Sequence, residues 1–214
     1  MADTIITNLE GKQASTVLLG AGASNPLKLD TNGNLVVTQG HAKYREMVAR
    51  GKVNIVSVAV TGVAMGQALS TTPPLALHNP VGSRVNLSII KTTVAYLSGT
   101  LSYGLINYAT VIQATAPTSG AALVPKNALI GESRGKAQAY TGSTQTAATV
   151  LMTPYSFGPQ AATTALGITT CQDTVDGLIE VPPGYVFVME STSAGAGTSP
   201  LCVMGIAWEE IDLS

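Results

Sequence analysis

The chain has 214 residues, is 45% hydrophobic, and carries 11 basic and 12 acidic residues for a net charge of −1. That length and apolar content suit one good-sized core, and the balanced charge leaves no electrostatic footprint for nucleic acid. Only 11% of the residues are charged, against about 25% in typical soluble domains, so much of the surface must be neutral and poorly protected against association.

The opening Met1-Ala2-Asp3-Thr4 shows no basic region followed by an apolar one, so no secretory leader is read and synthesis in a cytosol is expected. Residues 1–52 read as an N-terminal arm. Within it, Gly20-Ala21-Gly22-Ala23 is a flexible turn: the third glycine of a dinucleotide loop is absent, and Pro26 follows where a helix would begin. Around Asn32-Gly33, apolar residues alternate on both sides of a dipeptide suited to a type I′ turn, which predicts a β-hairpin over 27–37. Next, Tyr44, Met47 and Val48 fall at helical spacing and Gly51 supplies a stop, which predicts a short helix over 41–50.

From 53 onward the pattern turns to β. Val-rich 53–61 is a strand, and 85–97 followed by 101–113 is expected to form a long hairpin. Strands are placed less sharply between 117 and 172, around 128–130, 136–140, 149–152 and 166–170. Later strands are read at 178–181, at 185–190 after the turn Pro182-Pro183-Gly184, and at 201–211. The long uncharged stretches 53–83 and 137–172 are broken by Pro73-Pro74, His78-Asn79-Pro80 and Pro154, so they are strands and loops and not membrane spans. Many strands, one short helix and no βαβ alternation predict a mainly β chain. Residues 53–214 form an antiparallel β-sandwich of jelly-roll-like kind, with the hairpin and helix of 1–52 as its N-terminal arm.

Several patterns imitate active sites. Gly131-Glu132-Ser133-Arg134-Gly135 has the form of a nucleophile elbow, but a general-base histidine is needed later in the chain, and His41 and His78 both precede it. Cys171 and Cys202, like the two histidines, lack local metal-ligand spacing, and both cysteines read as small buried or half-buried side chains. Asp173, Asp176 and Gly177, and likewise Glu209-Glu210-Ile211-Asp212, lack the full oxygen series of a calcium loop and read as turn and edge residues. No catalytic residue, cofactor or metal is expected.

Three segments together carry a likeness: hairpin 27–37 leading into Gly40-His41-Ala42-Lys43-Tyr44 and Arg50-Gly51-Lys52, then Leu77-His78-Asn79-Pro80-Val81-Gly82-Ser83, then 178–184 with its Pro-Pro-Gly turn. The arrangement resembles structural proteins of tailed bacteriophages in which an arm precedes a β-sandwich of capsid-decoration, head-fibre or tail-associated type. The resemblance implies a non-enzymatic virion protein, synthesised in the host cytoplasm. It also implies self-association, commonly as a homotrimer, and docking on the major capsid or other virion proteins, with no nucleic acid or membrane as partner. Within it, Leu27, Leu29, Leu35, Val37, Tyr44 and Met47 are the expected attachment residues, because an arm of this size cannot bury its own apolar side chains. The alternative is a tail-associated domain binding a host receptor or glycan, with Tyr103, Tyr108, Tyr140 and Tyr155 as candidate sugar-stacking rings and Trp208 assigned to the core.

Overall fold

A computed structural model describes residues 42–66, 68–99, 103–133, 135–157, 170–194 and 200–213. The hairpin expected over 27–37 lies outside these residues, and with it Leu27, Leu29, Leu35 and Val37. Two compact units divide the chain, 1–45 and 46–214. Helix α1 (Arg45–Ala49) is shorter than the expected 41–50 and has no fully buried residue. Gly51 stops it as the sequence predicts. With φ at 68° it lets its own N–H reach the carbonyl of Val48, while the N–H of Lys52 reaches that of Met47, the paired bonds of a Schellman cap.

Thirteen strands follow: β1 (Val53–Ser57), β2 (Val63–Ala64), β3 (Leu75–Asn79), β4 (Val85–Ser98), β5 (Tyr103–Ile112), β6 (Ala121–Leu123), β7 (Lys126–Asn127), β8 (Gln138–Thr141), β9 (Thr149–Phe157), β10 (Thr170–Thr174), β11 (Glu180–Val181), β12 (Tyr185–Ala194) and β13 (Leu201–Asp212). They form two antiparallel sheets. The first runs β10-β4-β13-β1-β7, with β11 added to β4 and β2 to β13; the second runs β6-β8-β3-β12-β5-β9.

The pairings are nested. Strand β1 pairs with β13, β3 with β12, β4 with β10 and β5 with β9, so the chain doubles back on itself as one long antiparallel ribbon. Pairing of β4 with β13 and of β5 with β12 then rolls the ribbon into two sheets. Eight strands in this double Greek-key order make a jelly roll. The remaining five strands extend its edges.

Between the sheets lies one core, built by period-two alternation. On β1 and just after it, Val56 and Val58 are buried while Ile55 and Ser57 face out. Leu75 and Leu77 of β3, Leu87 and Ile89 of β4, Phe187 and Met189 of β12, and Met204 and Ile206 of β13 fill the interior with Trp208, which is 0% exposed. Gly104 of β5 has to be glycine, because a Cβ there would lie 2.5 Å from the Phe157 ring. The Pro182-Pro183-Gly184 turn is type II: Gly184 has φ of 84°, and the N–H of Tyr185 bonds the carbonyl of Pro182 at 3.2 Å.

Two sequence expectations change. Strands β4 and β5 are not a hairpin; they lie in opposite sheets and face each other across the core, where the Thr92 hydroxyl bonds the Tyr108 hydroxyl. Nor is 128–130 a strand: β7 ends at Asn127, whose Oδ1 accepts the N–H of Leu129 at 2.8 Å and starts a turn closed by the N–H of Glu132 on the Leu129 carbonyl. An unforeseen strand, β3, supplies five consecutive buried residues, Leu75-Ala76-Leu77-His78-Asn79.

Candidate interaction surfaces

The polar residues of β3 are fasteners. Asn79 Nδ2 donates to the carbonyls of Val85 and Val181, both at 2.8 Å, which ties the second sheet to the start of β4 and to β11 in the first. His78 is buried, with Nε2 3.1 Å from the Gln113 carbonyl. Glu210, also buried, accepts the N–H groups of Lys136 and Ala137 on Oε1 and holds these two residues against β13. These contacts close the end of the sandwich at which the chain enters from α1, and Lys52 joins them through a 2.6 Å bond to Asp212.

Inside the sandwich, Tyr108 bonds Thr92 and donates to Asp173 Oδ2 at 3.1 Å. Burial, and after it the Asp173 charge, push the Tyr108 phenol up, and the same causes raise Tyr155 to about 12. Both rings therefore stay protonated at neutral pH; Tyr108 is a hydrogen-bonding residue of the interior, whereas Tyr155 packs against the core with its buried hydroxyl unpartnered among the described residues. A second carboxyl, Glu190 on β12, accepts the Ser70 N–H at 3.0 Å on Oε2 and is pushed above the usual carboxylate range by burial. Beside it, the Ser191 hydroxyl bonds the Met65 and Gly66 carbonyls, so Met65, Gly66 and Ser70 are strapped to β12.

The cysteines share one apolar slot with Met65, Val94, Tyr96, Ile106 and Phe157. Cys171 on β10 and Cys202 on β13 lie on opposite sides of β4. Two inter-strand spacings, with Cys202 offset two residues along β4 from Cys171, put their backbones more than about 9–10 Å apart, too far for a disulfide. Among the described residues, no group of three or more His, Cys, Asp or Glu is placed to hold a metal ion. Ser133, the centre of the elbow-like motif, sits exposed in the loop between β7 and β8, and no helix follows it among the described residues. Asp176 and Gly177, at φ of 50° and 84°, form the turn between β10 and β11.

Of the attachment residues named from sequence, Tyr44 and Met47 are described, and both are half-buried. The Lys43 ammonium lies 5.2 Å from the centre of the Tyr44 ring. Among the candidate stacking rings, Tyr108 is in the core, Tyr140 and Tyr155 are half-buried, and Tyr103 is exposed at 66%.

The sequence does not disclose how charge is sorted between the two ends of the sandwich. At the entry end lie Lys52, Arg84, Lys126, Lys136, Glu209 and Asp212. The opposite end is formed by 57–64, 94–99, 103–106, 155–157, 191–194 and 200–204, and no Lys, Arg, Asp or Glu occurs in any of these segments. It exposes Val60 at 85%, Leu97, Tyr103 and Leu105. A Cβ on Gly62 would meet Leu97 and Leu201, both at 3.2 Å, so Gly62, Leu97 and Leu201 lie together.

The chain matches no family model, no curated protein and no solved structure.

Proposed function

We propose that the chain is a non-enzymatic structural subunit of a virus particle, of the tailed-bacteriophage decoration or minor-head type, which self-associates and docks on the shell. The observation that carries this reading is a jelly roll whose outside is sparsely charged and bears large exposed apolar side chains, Val60, Ile112 and Ile130 among them. Jelly rolls build capsid and lectin domains, and exposed apolar surface of this kind marks contact with other proteins. Within the reading, the arm 1–52 makes the attachment, and the subunit is made in the host cytoplasm and ends in the virion. Binding of the full chain to assembled shells that lack it, followed by co-sedimentation, tests the proposal. Removal of 1–52 is expected to abolish binding, and unchanged binding by the truncated chain would refute the role of the arm.

The exposed ring of Tyr103 supports a second reading, a tail-associated domain that binds a glycan or host receptor. Beside it, the buried Asn107 donates to the Thr192 hydroxyl at 3.1 Å and accepts from the Thr153 hydroxyl at 2.7 Å, bonds that brace the sheet next to the ring. Specific binding on a glycan array that is lost in Tyr103→Ala would favour it over the first.

A further inference from the structure

The second sheet buries its outer face as well as its inner one. By strand alternation Ala76 of β3, Ala109 and Val111 of β5, and Val186 and Val188 of β12 point away from the core, yet each is 2% exposed or less. They form an apolar cluster of their own, with Ala148 packed on it. The cover is the segment 142–148, in which Ser143 and Gln145 are buried while Thr144 and Thr146 are exposed. The Gly142 N–H bonds the Pro73 carbonyl and the Gln145 N–H the Thr71 carbonyl, both at 2.9 Å, just before β3. Thr146 then bonds the Ile112 carbonyl and the Gln113 side chain at the far end of β5. One carboxyl shares this face. Glu190 follows Val186 and Val188 in alternation along β12 and is 1% exposed. Its Oε2 accepts the Ser70 N–H at 3.0 Å, whereas its Oε1 is buried with no partner among the described residues. The stretches 68–79, 103–112 and 142–157 contain no Lys, Arg, Asp or Glu, so no counter-charge faces Glu190 from β3, β5, β9 or the cover. The other titratable side chains on this face are His78, Tyr140 and Tyr103.

We propose that 142–148 is a pH-sensitive strap latched through Ser70 by Glu190: the protonated carboxyl holds it closed, and the ionised carboxylate draws in water and releases it. The coupling is covalent. Ser70, whose N–H holds Glu190, is joined directly to Thr71, whose carbonyl holds Gln145, so loosening the first peptide unit loosens the second. The sign follows from the poverty of donors. A buried carboxylate needs a counter-charge or several hydrogen bonds, and Glu190 has one N–H and an idle oxygen. Burial therefore outweighs the Ser70 bond and raises the Glu190 pKa above its ordinary 4.5 while the strap is closed. When the strap lifts, water solvates the carboxylate and the ordinary value returns. Closure is complete below the ordinary carboxylate range and weakens as pH rises from there through the closed-state pKa. The opening is local, because β12 keeps its ladders to β3 and β5 whether or not the strap is down. Release bares Ala76, Ala109, Val186 and Val188, an apolar strip that the closed form hides.

Hydrogen exchange of the full chain tests the inference from about pH 4 to about pH 8, resolved to the Ser70, Gly142 and Gln145 amides and corrected for the intrinsic effect of pH on exchange. These amides are expected to lose protection progressively as pH rises. At the upper end of the range they should exchange faster than the amides of β4 and β13, because the strap opens without unfolding the sheets. Glu190→Gln, which mimics the protonated side chain, is expected to keep them closed at every pH. A second measurement needs no variant: the Glu190 carboxyl of the parent, followed by carbon NMR, should finish titrating where the loss of protection levels off. Protection that does not fall with pH overturns the inference, as do strap amides that exchange no faster than those of β4 and β13 at the upper end. A fall that survives in Glu190→Gln, or that is out of step with the carboxyl titration, overturns the role of Glu190 as the latch.

Discussion

Asn79→Ala attacks the joint between the two sheets. The Asn79 amide is fully buried and donates two 2.8 Å bonds, one to Val85 at the start of β4 and one to Val181 in β11. Alanine leaves both carbonyls buried beside a small void. The Val85 carbonyl keeps the Ser83 hydroxyl at 3.4 Å, so the loss of the two bonds, at about 0.5–1.5 kcal/mol each, predicts a loss of about 1–3 kcal/mol. A domain of this size has about 5–15 kcal/mol to lose. Urea unfolding followed by the emission of Trp208, the chain's one tryptophan and wholly buried, measures the change as a lower midpoint at unchanged slope. A loss below about 1 kcal/mol would refute the claim that this amide fastens the sheets.

Glu190→Gln should remove a pH dependence. Because burial raises the Glu190 pKa above its ordinary 4.5, the folded state holds the proton more tightly than the unfolded state. Stability from this group is therefore complete below the ordinary carboxylate range and is lost as pH rises from there through the folded-state pKa. Thermal unfolding as a function of pH should show this fall in the parent and a flatter profile in the glutamine variant; parallel profiles would contradict it. Both thiols should persist under oxidising conditions. A thiol reagent should find Cys202 unreactive in the folded chain, buried and pushed up to about 12, and should titrate both cysteines after unfolding; a bond between Cys171 and Cys202 would contradict the strand order. Tyr108→Phe should cost about 1–3 kcal/mol by denaturant unfolding, because Thr92 and Asp173 both lose their partner; a neutral effect would show that the interior network contributes nothing.

The local features were readable in sequence because their causes are local. Gly51 ends the helix, Pro182-Pro183-Gly184 makes its turn, and the alternating apolar runs become β12 and β13. Pairing is not local. The runs that became β4 and β5 look like a hairpin because a short connection joins them, yet each finds its partners elsewhere in the chain, β4 in β10 and β13, β5 in β9 and β12. Strand β3 was hidden because Pro73-Pro74 precedes it and because His78 and Asn79 look polar, whereas the fold buries both by giving them partners. The charge-free end was equally illegible. Its residues come from distant segments such as 57–64, 103–106 and 200–204, and only the rolled ribbon brings them together. The hairpin residues Leu27, Leu29, Leu35 and Val37 remain expectations of the sequence.

Self-association is the property on which the proposed role depends, and the mass of the full chain in solution tests it most directly. Native mass spectrometry together with sedimentation at micromolar concentration is expected to give a defined multiple of the 21.8 kDa chain, a trimer if the resemblance to phage structural proteins holds. A mass of one chain at every concentration reached would contradict the account.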